Sequence, residues 1–423
     1  MNILFVLYHD FGANSAIHVH NFANQLVVFG HRVAVTVPTN KTSCENLGPR
    51  NYATANFSEI SGDWLRLFKD GRPPELVHAW TPRENVRRLC EKLRRLCSFE
   101  LCLHLEDNEE TIFEANLRMP FAEGAGMPEE EIPSSLVHPR LYRQFIAEAS
   151  GMTIIMDRLE KFVPPATPRL LLWPGASSEL FYARPKDKVL LKELRIPVNS
   201  IVLSYTGNVH AANAREVRSL YLAVAMLNRE GVPTSLVRAG RDYYPFLGTD
   251  EQWARKYSVE LGYLKHTEIG RVLSLADFLI QPGTADEFNE YRLPSKVPEF
   301  FAMGRPVVVP QTNVGRFVQH GVHAWVLPKV DALGIVQTII HFRKDPALVQ
   351  RLSEGALNFY AQNFDWEKSA RTLEGFYRQV LDGATKPGEG PQPLGETAGA
   401  DVSPQRPDYS SGGSARSSSR AVS

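Results

Sequence analysis

Short apolar runs alternate with longer amphipathic segments from the first residues of the chain onward. Residues 3–7 (ILFVL) predict a buried strand, and residues 16–29 predict a helix with one apolar face. Gly30 closes that helix, and residues 32–37 predict the next strand. Strands that alternate with helices are typical of a parallel sheet with crossover connections, so the pattern favours an α/β fold.

A second alternating series begins at Ser200 and repeats the architecture of the first. We therefore predict one α/β domain at 1–180 and another at 181–365, followed by a helix at 366–383 that packs back across the domains. The last stretch, 384–423, is rich in Gly, Pro and Ser and poor in apolar side chains. We predict that it is a disordered tail.

Composition limits the classes of partner. The chain has 423 residues, of which 43% are hydrophobic, so it can bury more than one core. Its 47 basic and 47 acidic side chains balance, so no global basic field attracts nucleic acid and we predict no nucleic-acid partner. The 4 cysteines lack CxxC spacing, which favours reduced thiols, and we predict no metal site.

The ends of the chain and its apolar runs bear on localisation. The start, MNILFVLYHD, lacks the basic region and the small-residue cleavage site of a signal peptide. No apolar run approaches the ~20 residues that span a bilayer, so we predict a cytoplasmic protein. The basic helix predicted at 83–95 leaves two interpretations, a solvated face or peripheral contact with the inner face of an anionic membrane.

The most informative segment is 291–310, YRLPSKVPEFFAMGRPVVVP, which predicts a helix start, a buried helix face and a parallel strand in one run. Ser295 is predicted to cap the helix, whose first turns carry Lys296 and Glu299, and Gly304 ends it. Free amides, a cation and a carboxylate at the carboxyl edge of a sheet suit a phosphate and a sugar diol. The alternative for Glu299 is an exposed carboxylate favoured by the helix dipole, worth ~0.3–1 kcal/mol.

Two further strand ends in the second half carry candidate ligand-binding residues. Gly207 permits close backbone approach, and Asn208 can donate hydrogen bonds beside it. Arg238 and Arg241 flank Gly240 at the next strand end, where a guanidinium can hold a diphosphate. The alternatives are an ordinary strand-to-helix turn and surface arginines.

The first half has a different set of candidates. The loop before the first helix contains Gly12 but no GxGxxG, which argues against a dehydrogenase. His18 and His20 follow on the helix, and His18 is the candidate for contact with a phosphate or sugar. His104 ends the apolar strand LCLHL just before Glu106, so we predict that it lies near the chemistry. The alternative is a core histidine beside a solvated acidic loop.

Six stretches of the chain carry a resemblance to a known family of proteins. They are GANSAIHVHNFANQLVVFGHRVAV, LLWPGASSELF, YTGN, ADFLIQP, LPSKVPEFFAMGRPVVVP and FDWEKSARTLEGFYRQVL. Together they resemble the GT-B glycosyltransferases of the retaining, glycosyl transferases group 1 type (family 4-like). The resemblance implies two Rossmann-like, doubly wound parallel-sheet domains that face each other across a cleft, with the nucleotide sugar in the second and the acceptor in the first. It also implies that Glu299 binds the nucleotide ribose, that His104 lies near the transferred sugar, and that Gly12 faces the phosphates.

The sequence departs from the pattern of this family at two places. The family's acidic pair would place its first member at position 291, where this chain has Tyr291, with Glu290 one residue away. Asn208 stands where the family has one of two cations after the first strand of the second domain. Arg241, Arg292 and Lys296 are our candidates to replace those cations.

We therefore predict a cytoplasmic glycosyltransferase of the hexosyltransferase type (EC 2.4) in carbohydrate biosynthesis. It would move a sugar, with retention and without a metal, from a nucleotide diphosphate-sugar to a hydroxyl acceptor that is a glycan, a lipid-linked molecule or a small molecule. The nucleotide sugar is a substrate, and no cofactor is predicted. The alternatives are another GT-B chemistry, such as a sugar-nucleotide epimerase, and a catalytically weak GT-B binding module.

Overall fold

A computed structural model describes residues 1–385. The tail predicted at 384–423 lies outside the described residues, apart from the first two, which belong to the last helix. The strands are β1 (Asn2–Leu7), β2 (Arg32–Val37), β3 (Ala53–Asn56), β4 (Leu76–Trp80), β5 (Glu100–Leu105), β6 (Gly151–Ile154), β7 (Arg169–Leu171), β8 (Ile201–Thr206), β9 (Thr234–Ala239), β10 (Ser258–Glu260), β11 (Phe278–Ile280), β12 (Gly283–Thr284), β13 (Val307–Pro310), β14 (Trp325–Leu327) and β15 (Lys329–Val330).

The α-helices fill most of the connections between these strands. They are α1 (Asn14–Val28), α2 (Glu84–Arg94), α3 (Glu109–Leu117), α4 (Pro139–Ala147), α5 (Lys188–Glu193), α6 (Ala214–Arg229), α7 (His266–Leu273), α8 (Val297–Ala302), α9 (Ala332–Lys344), α10 (Pro346–Asn363) and α11 (Trp366–Thr385). No helix among residues 1–385 has the length and apolar content needed to cross a membrane.

The first half of the chain forms a seven-stranded sheet in the order β3-β2-β1-β4-β5-β6-β7. All of its pairings are parallel; Leu7 of β1, for example, is paired with Trp80 of β4, and Trp80 with His104 of β5. The chain reverses its direction of winding between β1 and β4, which leaves a crevice at their carboxyl ends. The segments that begin at Tyr8 and Thr81 therefore lie at one edge.

The second half forms a six-stranded parallel sheet in the order β10-β9-β8-β11-β13-β14. Here the winding reverses between β8 and β11, so the turn after β8 lies at the second crevice. The segments after β9 and β13 flank it, and β12 pairs with β15 in a small antiparallel ribbon. The predicted fold class, two doubly wound parallel-sheet layers, is confirmed. The domain limits stay predictions, because strand pairing does not show how independently each half folds.

The last helix, α11, returns to the first sheet and packs against α1 and β5. Phe376 and Val380 press on Gly151, where a Cβ would lie 2.6 Å from Val380 Cγ2 and 2.9 Å from Phe376 Cζ. The Tyr377 hydroxyl lies 2.6 Å from Nδ1 of His78 in β4. The carboxyl terminus of the described chain thus completes the core of its amino-terminal half.

One local prediction is wrong. Ser295 does not cap α8, because the N–H of Val297 donates to the carbonyl of Pro294 at 2.9 Å and the helix begins one residue later, with Lys296 in the cap position. Lys296 makes no side-chain cap bond. The N-cap position of this six-residue helix is therefore occupied by a cationic side chain and not by a hydroxyl.

Candidate active site

The turn after β8 owes its shape to two glycines. Gly207 and Gly240 have φ angles of +148° and +138°, which side chains rarely adopt. A Cβ on Gly240 would lie 2.1 Å from the carbonyl oxygen of Gly207, so only glycine lets the turns after β8 and β9 pass each other. The backbones of the two turns, at Gly207 and Gly240, are therefore in direct contact.

Lys296 is the N-cap residue of α8, and its side chain lies against the turn that contains Gly207. A Cβ on Gly207 would lie 2.9 Å from Lys296 Cε and 3.2 Å from its Nζ. The ammonium lies 4.7 Å from the centre of the Tyr205 ring. Within residues 1–385 it makes no hydrogen bond and no ion pair. A half-buried cation without a carboxylate partner is available for an anion.

Arg292 provides a second cation, held by an amide and a carboxylate. Its guanidinium donates to Asn289 Oδ1 at 3.0 Å and lies 3.8 Å from Glu216 Oε2, over the ring of Phe288. Asn289 in turn donates to Glu216 Oε1 at 2.6 Å. Burial raises the pKa of Glu216, whereas Asn289, Arg292 and Lys296 act in the opposite direction. Both cations therefore lie within electrostatic range of one carboxyl group.

Glu299 follows on α8 and pairs with a histidine from α7. Its Oε1 lies 2.8 Å from Nε2 of His266, and the side chains are 15% and 43% exposed. Burial lowers the pKa of His266, but the hydrogen bond and charge of Glu299 outweigh it, so the pKa is raised. His266 also packs on the ring of Phe181, with centroids 5.2 Å apart. One carboxylate oxygen is thus fixed, and the other is left for a ligand.

The remaining candidates of the second half lie apart from this group. The amide oxygen of Asn208 accepts the N–H of Arg241 at 2.8 Å, so Asn208 joins two turns. The Arg241 guanidinium lies 4.8 Å from the centre of the exposed Tyr263 ring. Arg238 is 2% exposed and pairs with Asp242, so it cannot reach a diphosphate.

Glu290 faces the first half of the molecule. Its Oε2 lies 4.0 Å from Nε of Arg158, on the segment after β6. Tyr291 lies beside Glu290, and the Lys161 ammonium is 4.5 Å from the centre of its ring. Arg316 pairs with Asp157 on the same segment. Residues 289–291 and 157–162 therefore connect the two sheets on one side of the cleft.

At the edge of the first sheet, Glu106 collects three donors. Ser15 donates its hydroxyl, Trp80 its indole N–H at 2.7 Å, and His18 Nδ1 lies 3.1 Å away. Burial opposes ionisation, but His18, the nearby His104 and Ser15 outweigh it and lower the pKa of Glu106 to about 2. Glu106 is a fully satisfied structural carboxylate.

His104 lies below this edge, 1% exposed. Its Nδ1 lies 2.7 Å from Thr153 Oγ1, and its ring stacks on Trp80 with centroids 3.9 Å apart. Its Nε2 has no hydrogen-bond partner and lies 4.0 Å from Glu106 Oε1. Burial lowers the pKa of His104 to about 3, so the ring is neutral at any working pH. Its role near a sugar stays a prediction, and its burial also suits the core alternative.

The first loop and helix place their candidates at different depths. Gly12 is exposed, and its N–H donates to Asp10 at 3.0 Å. His18 is 7% exposed and tied to Glu106. His20 lies 2.9 Å from the Tyr52 hydroxyl on the far side of α1, where burial lowers its pKa to about 4. Of these residues only Gly12 borders solvent.

The sequence did not single out Asp107, Arg83 or Tyr8, which complete this edge. Arg83 pairs with Glu109 at 3.1 Å and covers the Tyr8 ring at 3.8 Å. Burial and the neighbouring Glu106 raise the pKa of Asp107, while Arg292 and Arg83 lower it. Arg292 belongs to the second half, so Asp107 lies within electrostatic range of a cation from the other sheet.

The arginines of the basic helix α2 are all paired with carboxylates. Arg87 and Arg88 bind Glu84 of the same helix and Glu129 of a neighbouring loop. Arg94 pairs with Glu148. Within residues 1–385 no three acidic, histidine or cysteine side chains are grouped so that they could hold a metal ion. The predicted absence of a metal from the reaction stays a prediction.

Comparisons with known proteins agree with this architecture. Residues 200–345 match the family described as "Glycosyl transferases group 1". No curated protein sequence matches the chain significantly. Similar solved structures include sucrose-phosphate synthase from Thermosynechococcus elongatus, with 14% identity, a TM-score of 0.64 and coverage of 90% of this chain and 100% of that chain. HepE from Anabaena in complex with UDP has 13% identity, a TM-score of 0.67 and coverage of 90% and 100%.

A third similar structure belongs to a protein that is named for a different activity. It is a putative UDP-N-acetylglucosamine 2-epimerase from Listeria monocytogenes, with 11% identity, a TM-score of 0.55 and coverage of 90% of this chain and 97% of that chain. At these identities the likeness shows the fold alone. The chain therefore has the fold of these structures, and its residues 200–345 are similar to the glycosyl transferases group 1 family.

Proposed function

We propose that the protein transfers a sugar from a nucleoside diphosphate-sugar to a hydroxyl acceptor, with retention and without a divalent metal. The observation that carries the proposal is the Lys296 ammonium, which lies against the Gly207 turn with no carboxylate partner. Arg292 lies within range of the same carboxyl group as Lys296. A cation at the Gly207 turn and a second cation near the same carboxyl group suit a departing diphosphate, whose growing charge such groups stabilise most.

Glu299 would bind the ribose of the donor. His266 holds one of its oxygens at 2.8 Å, which orients the other toward the cleft without neutralising it fully. A carboxylate that accepts two vicinal hydroxyls is the usual chemistry for a diol. The UDP-bound relative supports a nucleotide on this fold, and no resident cofactor is part of the proposal.

The test is release of nucleoside diphosphate from a panel of UDP-, GDP- and ADP-sugars, with and without EDTA. We expect one donor class to be hydrolysed or transferred, with the rate unchanged by EDTA, because Lys296 and Arg292 stand where a metal would otherwise balance the charge. The anomeric configuration of the product, read by NMR, tests retention. Release that requires a divalent ion contradicts the metal-free part, and no release from any donor contradicts the whole proposal.

A second candidate is epimerisation of the sugar nucleotide, which the Listeria relative favours. The two reactions differ in what becomes of the bond between sugar and diphosphate. A transferase yields a new glycoside only when an acceptor is present. An epimerase changes the sugar of the nucleotide in the absence of any acceptor, which NMR of the donor detects.

A further inference from the structure

We propose that Asp107 binds the reacting hydroxyl of an uncharged polyhydroxy acceptor, such as an unmodified sugar. This inference rests on the proposed function, because it assigns the acceptor side of the same transfer. Asp107 follows β5 and lies half-buried at the carboxyl edge of the first sheet. Within residues 1–385 its carboxylate makes no hydrogen bond and no ion pair.

The neighbouring acids differ from Asp107 because each has its donors. Glu106 receives Ser15, His18 and Trp80, and Glu109 is paired with Arg83. A half-buried carboxylate that lacks a donor is costly, and the cost is removed when a ligand supplies an O–H. Asp107 is thus the one acid of this cluster that a ligand can satisfy.

Two other polar groups at the same edge also lack partners. Thr81 Oγ1 and His104 Nε2 are buried without a hydrogen bond, and each residue is 1% exposed. The N–H of Thr81 donates to the carbonyl of His104 at 3.1 Å, so the two residues are neighbours. His104 Nε2 lies 4.0 Å from Glu106 Oε1 and therefore points to the edge where Asp107 stands. Unsatisfied groups from two adjacent strands indicate a ligand site rather than a solvated acidic loop.

The opposite side of the cleft supports this assignment. Burial and Glu106 raise the pKa of Asp107, whereas the charge of Arg292 lowers it, so the carboxyl lies within electrostatic range of a cation of the second half. A donor whose diphosphate binds Arg292 and Lys296 would place its anomeric carbon near this edge. A hydroxyl held by Asp107 would then attack that carbon from the face that the diphosphate leaves, as retention requires, and its proton would pass to Asp107 as the bond between the carbon and the diphosphate breaks.

The charge of this edge selects the class of acceptor. Asp10, Glu106, Asp107 and Glu109 lie at the ends of β1 and β5, and the cation among them, Arg83, is already bound to Glu109. An acceptor that carries a phosphate or carboxylate next to its reacting hydroxyl would be repelled here. A neutral polyol is not repelled by these charges, and one of its hydroxyls can donate to Asp107.

The first experiment compares acceptors. Wild-type protein is assayed with its best nucleotide sugar and with glucose, fructose and glycerol, each beside its phosphorylated counterpart. We expect the neutral acceptors to have a kcat/KM at least roughly tenfold higher than the phosphorylated ones, as expected for one like-charge contact. Preference for the phosphorylated compounds would overturn the inference, and so would donor turnover that none of the six acceptors accelerates.

The second experiment tests Asp107 itself, with Glu110→Gln as the matched control. Glu110 belongs to the same acidic run of the sequence but lies in the first turn of α3 and pairs with Arg143 on α4. We expect Asp107→Asn to lower kcat/KM for the acceptor by roughly 10- to 100-fold, as for a lost charged hydrogen bond, with unchanged affinity for the nucleoside diphosphate. Glu110→Gln should match wild type.

Stability separates a binding role from a structural one. Removing an unpartnered charge beside Glu106 should leave the Tm of Asp107→Asn equal to or above that of wild type. A lower Tm with parallel losses for donor and acceptor would show a structural role and overturn the inference. Asp107→Ser serves the same purpose if the Asn variant does not fold. A wild type that is inactive on every donor refutes the proposed function instead, whereas an active wild type with a normal Asp107→Asn refutes only this inference.

Discussion

The two sides of the cleft are built from opposite charges. On the second sheet, Gly207 brings the backbone close to Lys296, and Arg292 adds a second cation. On the first sheet, the strand ends carry carboxylates, of which Glu106 is fully satisfied and Asp107 is not. In the proposed reaction a diphosphate would bind on the side of the cations and a neutral hydroxyl on the side of the unpartnered carboxylate. The comparison teaches that the charges of the two sides would separate leaving group and nucleophile before either substrate arrives.

The largest effect should follow loss of the cation at the glycine turn. Lys296→Met is expected to lower kcat/KM for the donor by roughly 100- to 1,000-fold, because one preorganised charge on the departing diphosphate is lost. Steady-state kinetics with the best donor checks this. The control is Lys329→Met, since Lys329 is 63% exposed and paired with Asp331. Similar losses in both variants would show that net charge, rather than the position of Lys296, matters.

The second prediction concerns the first sheet, where a buried histidine supports the edge. His104→Ala should lower the free energy of unfolding by roughly 2–5 kcal/mol, because it leaves a cavity beside Trp80 and removes one of the two histidine partners of Thr153. Urea denaturation measures this change. Nucleotide affinity of the folded variant should stay normal, since the donor binds the other side, while turnover falls. An unchanged unfolding midpoint would contradict the packing of this region.

The third prediction sharpens the donor side. Glu299→Gln should weaken binding of UDP or the preferred nucleotide by roughly 10- to 100-fold, the size of a charged hydrogen bond. Calorimetry with the nucleotide and with its 2′-deoxy analogue locates the contact. Wild type should discriminate between the two, and the variant should not. Discrimination that survives in Glu299→Gln would place the ribose elsewhere; Glu354→Gln, an exposed carboxylate on α10, is the control.

Much of the fold could be read from the sequence, because periodicity is a local property. The alternation of apolar runs and amphipathic segments predicted two parallel sheets, and 291–310 located Lys296 and Glu299 on one short helix. The cap was wrong because Ser295 competes with a turn closed by the Pro294 carbonyl, which local propensity does not reveal.

The partners of the site residues could not be predicted in the same way. Glu299 pairs with His266, which lies 33 residues earlier in the sequence, and no short motif predicts that pairing. In the sequence Asp107 does not differ from the other acidic residues around it. Only the tertiary structure shows that Glu106 and Glu109 have hydrogen-bond or ion-pair partners whereas Asp107 has none among the described residues. His104 was placed on the correct strand, but its burial under Trp80 depends on helices that pack from elsewhere in the chain.

The smallest expected effect is a dependence of stability on pH from the pair of His266 and Glu299. Burial lowers the pKa of His266, but Glu299 raises it by more, so the folded value lies above the ordinary one of about 6.5. A histidine of this kind stabilises the fold below its unfolded pKa, and the contribution is lost as pH rises through the folded pKa.

The Tm difference between wild type and Glu299→Gln should therefore be greatest between about pH 5 and pH 6.5 and should shrink as the pH rises further. The lower limit stays above the range in which carboxyl groups ordinarily titrate. His266→Gln should remove the same pH dependence, because it lacks the titrating ring. Scanning calorimetry of the three proteins at several pH values measures both differences. A difference that grows with pH would mean that Glu299 does not stabilise a protonated His266, and the carboxylate oxygen assigned to the ribose would then need another means of orientation.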